Sequence, residues 1–181
     1  MAVIISMLRG VNLGGHNRVK MDALRTLYES LGLRDVQTHV QSGNVLFRTE
    51  GRDLVRLGKR IENAIEQTFG FHSDVVLRTP AELRDVIAKN PFADRRGIEP
   101  NKLAVTFLAS DPGKEARDKL LAMKFEPEEL HMEARELYIY FTNGMARPKL
   151  TWPLIERTLK TSGTSRNWNT VTKLLELAEA Y

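Results

Sequence analysis

Hydrophobic and polar positions predict a strand, a helix and a hairpin at the start of the chain. The apolar run 3–8 is typical of a buried strand, and apolar positions recur at helical spacing over 21–31. Two β-rich runs, 36–40 and 45–47, flank the turn-forming residues Ser42-Gly43-Asn44. This arrangement predicts a β-hairpin.

A second helix and a fourth strand complete this first part. Apolar positions recur at helical spacing over 54–69, and Asp53 lies in the first turn or at the cap, where a carboxylate favours a helix. Segment 73–78 is rich in β-branched residues and predicts a strand. We therefore interpret residues 1–79 as a βαββαβ half.

The remaining residues, 80–181, repeat this order in their hydropathy. Their predicted elements are a helix over 81–89, a strand over 103–109, a helix containing 116–123, a hairpin of 130–132 and 137–141, a helix over 150–159 and a helix over 171–178. We interpret them as a linker helix, a second βαββα half and a C-terminal helix that pack with the first half as one compact unit. The predicted fold class is α+β, with two similar βαββα(β) halves.

The βαββαβ order brings two loops of the first half together. If the first strand runs upward, the loop after it lies at the top of the sheet. The following helix returns the chain, so the second strand also runs upward and the hairpin turn lies at the top as well. Right-handed crossovers place the third strand beside the first. Loop 9–20 and turn 41–44 are therefore predicted to be neighbours.

Composition excludes several kinds of site. The 181 residues include no cysteine, which rules out disulfides, thiolate nucleophiles and cysteine-ligated metal centres. Apolar residues make up 42% and charged residues 28%, which is typical of a globular protein. The run 3–8 is too short to cross a bilayer and lacks the basic region of a signal peptide, so we expect a cytoplasmic protein without membrane contact. A net charge of +4 is below that of a dedicated DNA-binding protein.

A glycine-rich loop, residues 9–17, follows the first predicted strand. A loop between a strand and a helix favours anions, because free backbone N–H groups and the helix dipole both attract negative charge. The spacing of Gly10 and Gly15 resembles a P-loop, but His16 and Asn17 stand where lysine and Ser/Thr are required. The glycines also suit a tight left-handed loop, so ligand binding and loop geometry are alternative interpretations.

The predicted turn Gln41-Ser42-Gly43-Asn44 would bring polar side chains to this loop. A nucleophilic role for Ser42 is disfavoured, because no G-x-S-x-G pattern surrounds it and no His–Asp pair is placed by the sequence. As a turn, the segment needs only its glycine and asparagine. Contact between a ligand and Gln41 or Asn44 is the intermediate interpretation.

A second polar cluster opens the last predicted helix. Asn167 or Asn169 suits a helix N-cap, and Trp168 suits the core. Alternatively, Arg166 with both amides and the indole would hold a phosphate or stack a base. The four histidines are too dispersed along the sequence for a metal site, and no base with a clear partner identifies an enzymatic reaction.

Several stretches, in one order, carry a resemblance to a known family. They are residues 8–15, 20–21, 41–45, 143–145 with 149–150, and 166–171. Over nearly its whole length the chain resembles the bacterial domain-of-unknown-function family 1697. The resemblance implies a duplicated, ferredoxin-like arrangement with halves related by a pseudo-twofold axis. It implies no particular activity, cofactor or substrate.

The chain departs from the usual pattern of that family in three places. Residues 146–150 read Ala-Arg-Pro-Lys-Leu where Gly-Arg-Ser-Lys-Leu is common, and Thr151-Trp152 follows where serine and asparagine are common. His39 stands at a position that usually holds tyrosine. If the replaced serine and asparagine contact a ligand in relatives, that contact is altered in this protein.

These observations favour a binding module for a small anionic ligand, phosphorylated or nucleotide-like, at the glycine loop and the first hairpin turn. RNA or single-stranded DNA binding is an alternative, although the first strand lacks the aromatic residues that RNA-recognition folds use. An enzyme of undetermined reaction is a second alternative. The candidate ligand-binding residues, from both halves, are Arg9, Asn12, Gly14, Gly15, Lys20, Gln41, Ser42, Asn44, Arg147, Lys149, Arg166, Asn167 and Asn169.

Overall fold

The computed structural model describes residues 1–146 and 148–181, so the candidate residue Arg147 lies outside the described residues. The chain forms two compact units. The first unit contains Met1–Arg84 together with Leu174–Tyr181, and the second contains Asp85–Lys173.

The first unit contains a four-stranded antiparallel sheet in the order β2-β3-β1-β4. Its elements are β1 (Ala2–Leu8), α1 (Met21–Ser30), β2 (Arg34–His39), β3 (Asn44–Thr49), α2 (Leu54–Phe69), β4 (Val75–Arg78) and the start of α3 (Pro80–Ala88). The third strand lies beside the first, as the crossover argument predicts.

Local chemistry explains the bounds of α2. The Asp53 side chain accepts a hydrogen bond from the Arg56 backbone N–H at 2.9 Å, which confirms the predicted cap. Gly70 ends the helix in the left-handed conformation, with φ of 79°. The apolar side of α2 packs with α1 against one face of the sheet, where Ile61 and Phe47 are fully buried.

The second unit repeats the strand order as β6-β7-β5-β8, again antiparallel. Its elements are a 3₁₀ turn (Pro100–Lys102), β5 (Leu103–Leu108), α4 (Lys114–Ala122), β6 (Glu129–Glu133), β7 (Glu136–Tyr140), α5 (Trp152–Leu159), β8 (Gly163–Asn167) and the start of α6 (Trp168–Glu179). Two four-stranded sheets and six α-helices among the described residues confirm the α+β class.

Strand β8 was not among the predicted elements. Residues 165–170 were predicted to open the last helix, whereas Gly163–Asn167 is a strand paired with β5. The segment contains no apolar side chain larger than a methyl group, so it lacks the hydrophobic alternation that identifies a strand. Its pairing partner, and not its own composition, determines its structure.

The two sheets share their register as well as their order. Ile5 in β1 pairs with Arg78 in β4, and Val105 in β5 pairs with Arg166 in β8. Both arginines are buried, at 1% and 7% exposure. A charged residue in the same buried strand position of both units is a specific correspondence, because arginine is rarely buried.

None of the helices among residues 1–146 and 148–181 is long and apolar enough to cross a lipid bilayer.

Candidate functional site

The glycine loop and the first hairpin turn meet at one end of the first sheet, as predicted. The Leu8 N–H donates to the Gly43 carbonyl at 2.9 Å, and the Asn12 side chain donates from Nδ2 to the Gln41 carbonyl at 2.7 Å. An added Cβ on Gly43 would lie 2.8 Å from the Leu8 Cβ, so the turn approaches β1 as closely as a glycine allows.

Asn12 holds the glycine loop in place. Besides the bond to Gln41, its Nδ2 donates to the Val19 carbonyl at 3.0 Å and its Oδ1 accepts from the Val19 N–H at 2.8 Å. Asn12 has φ of 55°, a left-handed conformation that asparagine tolerates better than most residues. Its amide therefore links the two ends of the loop to the hairpin turn. This candidate ligand residue uses its side chain for structure.

A cleft of about 520 Å³ opens between the loop and the turn. Five of its six lining residues are polar or allow close approach, namely Asn12, Gly15, Arg18, Lys20 and Gln41. The Arg18 guanidinium lies against Gly15, where an added Cβ would be 3.5 Å from Nη2. Arg18 was not among the predicted site residues. The signal that could have identified it was its position, three residues before the first helix and at the end of a glycine-rich loop.

The start of α1 adds backbone donors to this cleft. Lys20 is the N-cap residue, and its side chain makes no capping hydrogen bond. The first N–H groups of a helix have no partner within the helix, so an uncapped start favours an anion. Two cationic side chains, Arg18 and Lys20, are exposed beside it.

The remaining residues of the turn serve the hairpin itself. Asn44 is fully buried, and its Nδ2 donates to the His39 carbonyl at 3.1 Å and to the Ser42 Oγ at 3.0 Å. These short-range bonds close the turn. Gln41 is the exposed member of the segment and the one that lines the cleft.

Arg9 lies at the other side of the same sheet end. Its Nη1 is 3.3 Å from the Asp74 Oδ2, and the other Asp74 oxygen is 3.1 Å from the His72 Nε2. Ser73 donates from Oγ to the Arg9 carbonyl at 2.7 Å. The structure thus places Arg9 beside the start of β4, whereas Lys20 lines the cleft beside the hairpin turn.

The other candidate residues belong to the second unit. Arg166 is buried in β8, where its Nη1 donates to the Thr164 Oγ1 at 2.7 Å and the Ser165 carbonyl at 2.8 Å. Burial lowers the pKa of this guanidinium to about 10.

The last three candidate residues also lie in the second unit. Asn167 accepts from the Thr170 N–H at 2.9 Å, which confirms it as an N-cap. Lys149 donates to the Glu126 carbonyl at 2.6 Å. Asn169 is exposed on the first turn of α6.

Within the described residues, no group of three or more histidine, aspartate or glutamate side chains is arranged to hold a metal ion.

Comparison with known proteins identifies the family. A solved structure described as that of the conserved bacterial protein SP0830 from Streptococcus pneumoniae is similar, with a TM-score of 0.70 and 18% identity over 98% of each chain. At this identity the likeness shows the fold. No curated protein matches significantly. The family model described as "Protein of unknown function (DUF1697)" matches residues 1–138. The chain therefore belongs to the DUF1697 family.

Proposed function

We propose that this protein binds a small anionic ligand, such as a phosphorylated metabolite or a nucleotide, in the cleft between the glycine loop and the first hairpin turn. The observation that carries the proposal is the cleft itself. It combines two exposed cations, Arg18 and Lys20, with the uncapped start of α1. Its volume of about 520 Å³ is within the range of small-molecule sites.

The glycine loop supports the proposal by its rigidity. Three side-chain hydrogen bonds from Asn12 fix the loop before any ligand arrives, so a ligand would not have to order it. Gly14 and Gly15 have φ of 55° and 82° and carry no side chain, so backbone groups are open to a bound anion. Gln41 supplies an amide on the facing side.

We also propose that the two units are a duplicated, ferredoxin-like pair. The shared strand order, with the third strand beside the first, supports this, as does the equal register of Arg78 and Arg166. The Arg9 N–H donates to the Asp74 carbonyl, and the Ala109 N–H donates to the Ser162 carbonyl in the same relation. Under this proposal the anion cleft beside the glycine loop lies in the first copy.

The test of ligand binding is a thermal-shift series with inorganic phosphate, a nucleoside monophosphate and a sugar phosphate. A ligand that binds the native state raises its melting temperature, by an amount that grows with concentration. We expect a shift for wild type and its loss in Arg18→Gln/Lys20→Gln. The matched control, Lys89→Gln/Lys124→Gln, removes two exposed charges elsewhere and should keep the shift. No shift of wild type at millimolar levels of any of the three would refute the proposal.

Nucleic-acid binding has less support from the first sheet. Phe47 is the only phenylalanine, tyrosine or tryptophan in β1 to β4, all of which are described, and it is fully buried against Tyr28. RNA-recognition sheets instead expose aromatic rings on which bases stack. A gel-shift experiment with single-stranded RNA at two salt concentrations separates this function from small-ligand binding, because phosphate-backbone contacts weaken with salt.

A further inference from the structure

A second cleft of about 510 Å³ lies at the other end of the first unit, where β1 begins and β3 ends. Four arginines line it: Arg34 at the start of β2, Arg52 before α2, and Arg56 and Arg60 on α2. They face two carboxylates in the same lining, Glu50 and Asp53. The side chains of the lining thus carry a net charge of +2, against +4 for the whole chain.

These arginines have no partners that would explain them structurally. Within residues 1–146 and 148–181, the side chains of Arg34, Arg52, Arg56 and Arg60 form no ion pair or hydrogen bond. Other cations nearby do: on α2 itself, the Lys59 Nζ lies 2.9 Å from the Glu62 Oε2.

Three of the four arginines repeat at every fourth position. Arg56 and Arg60 are one helical turn apart on α2, and Arg52 precedes them at the same interval. Like charges at this spacing destabilise a helix. The Arg56–Arg60 pair therefore weakens α2 unless an anion binds against it, whereas Arg52 lies just before the helix.

We propose that this arginine cleft binds a ligand with several phosphate groups close together, such as a polyphosphate or a nucleoside triphosphate. Guanidinium groups bind phosphate through paired, charge-assisted hydrogen bonds, and several of them facing one space match several phosphates. The lining contains no aromatic side chain, so a ligand held by base stacking is disfavoured.

This inference goes beyond the ligand proposed for the glycine loop. The two clefts share no lining residue, and they lie at opposite ends of β1. Arg18 and Lys20 belong to one, and the four arginines belong to the other, so each proposal stands or fails separately.

The test is isothermal titration calorimetry of the full chain with inorganic tripolyphosphate. We expect wild type to bind and Arg56→Gln/Arg60→Gln to bind roughly a hundredfold more weakly, since each lost charge-assisted contact costs about tenfold in affinity. Lys89→Gln/Lys124→Gln, the charge-matched control, should stay within about twofold of wild type. Arg18→Gln/Lys20→Gln should also keep its affinity for tripolyphosphate, which distinguishes this cleft from the glycine loop.

A folding control accompanies the titration. Without ligand, Arg56→Gln/Arg60→Gln should melt at or above the wild-type temperature, because the substitution relieves repulsion on α2. The proposal is overturned if wild type fails to bind tripolyphosphate at millimolar concentration, if the double variant binds like wild type, or if the charge-matched control loses as much affinity. Tight binding of a single-stranded RNA of ten nucleotides, with none of tripolyphosphate, would also overturn it in favour of a nucleic-acid surface.

Discussion

The loops after the first strand of each unit start from the same backbone position and differ in almost everything else. In the first unit the chain runs from Arg9 to Lys20 before α1, with five residues in left-handed conformations. In the second it runs only from Ala109 to Gly113 before α4. The strands that precede these loops end in the same way, since Leu8 and Leu108 each donate a backbone hydrogen bond to the turn of the adjacent hairpin.

In each loop, one side chain makes the hydrogen bonds that hold the backbone in place. Asn12 holds the long loop through three side-chain hydrogen bonds that reach the hairpin turn. Asp111 holds the short loop by accepting from the Gly113 N–H at 2.8 Å and from Arg117 at 2.8 Å. The Asn12 amide bonds to residues as distant in the sequence as Gln41, whereas the Asp111 carboxylate bonds only to Gly113 and Arg117 nearby. The long loop lines a cleft beside the hairpin turn, whereas the short loop lines a smaller cleft of about 310 Å³ with α4 and residues 158–160, so the two units differ in this connection.

The strands show a second difference at matched positions. Val75 pairs with Leu8, while Gly163 takes the same place opposite Leu108. Ser6 shares a hydrogen bond with Tyr28 of α1 at 2.8 Å, while Thr106 shares one with Ser165 of the adjacent strand at 2.6 Å. The buried hydroxyl of the central strand is therefore bonded to a helix in one unit and to the neighbouring strand in the other.

The largest expected effect is at Gly163, where the second unit tolerates no side chain. An added Cβ would lie 2.4 Å from the Phe107 carbonyl oxygen and 3.1 Å from the Leu108 Cα, both backbone atoms of β5. Gly163→Ala should destabilise the protein by about 3 kcal/mol or more, because the strand must move. Urea unfolding measures the loss.

The control for this prediction is Gly58→Ala, the same substitution on α2. Its Cβ would meet only ordinary contacts, the nearest at 3.8 Å, so it should stabilise by about 0.5–1 kcal/mol. If both variants shift stability in the same direction, the close approach of β5 and β8 is not what requires glycine at position 163.

Asn12→Ala tests whether the side-chain hydrogen bonds of Asn12 hold the long loop in place. Losing three side-chain hydrogen bonds should cost about 2–3 kcal/mol, and alanine in the left-handed conformation adds about 1 kcal/mol. Anion binding in the cleft should fall with it. Asp111→Ala in the short loop should cost much less, since Asp111 is exposed. Equal losses in the two variants, measured by chemical denaturation, would contradict the comparison.

Tyr28→Phe tests the hydrogen bond that joins the central strand of the first unit to α1, where the second unit has a bond between two strands. Without the phenol, the buried Ser6 hydroxyl loses its partner, so we expect a loss of about 1–2 kcal/mol at neutral pH. Burial raises the pKa of Tyr28 well above its ordinary value of 10.0. A raised folded-state pKa means that this contribution is complete below pH 10 and is lost as the pH rises.

Wild type should therefore lose stability above pH 10 more steeply than Tyr28→Phe does. Tyr181, whose pKa burial raises to about 12, supplies a remaining alkaline slope in both proteins. Thr106→Val is the control in the second unit, because it removes the hydrogen bond between Thr106 and Ser165, whose hydroxyl groups do not titrate. An alkaline profile of Tyr28→Phe identical to that of wild type would show that Tyr28 does not link folding to pH.

The smallest expected effect is an acid dependence confined to the short loop. The Gly113 N–H, with help from Arg117, holds the pKa of the Asp111 carboxyl below its ordinary value of 3.8. Because the folded-state pKa is lowered, the contribution is present above pH 3.8 and is lost as the pH falls through the lowered value. The difference between wild type and Asp111→Asn should shrink below pH 3.8, whereas the cost of Asn12→Ala should not change with acid.

Elements with regular hydrophobic spacing were predictable from the sequence. The helix over 54–69, its Asp53 cap and the meeting of loop 9–20 with turn 41–44 all follow from local rules and topology. Strand β8 was not, because its Gly-Thr-Ser-Arg-Asn sequence shows no apolar alternation and its structure depends on pairing with β5.

The site was predictable only in outline. Sequence placed Lys20 and Gln41 near each other, but it could not show that Arg9 faces Asp74, a residue from a distant part of the chain. Arg52, Arg56 and Arg60 recur at every fourth position of the sequence, but they were not among the predicted site residues, and their place beside Arg34 in one cleft is seen only in the structure. Side-chain direction and long-range pairing are what the pattern of residues leaves undetermined.

Tyr181 connects the first sheet to the order in which the chain is synthesised. Its hydroxyl proton is shared between the carbonyls of Asp35 at 2.6 Å and Leu46 at 3.0 Å, beside the place where the register of β2 and β3 shifts. A ribosome adding about 5–20 residues per second takes roughly 5–20 seconds to travel from Arg84 to this tyrosine. During that interval the earliest strands exist without a donor for those two carbonyls. The hydrogen bonds of Tyr181 to the first sheet therefore form only after the whole second unit has been synthesised.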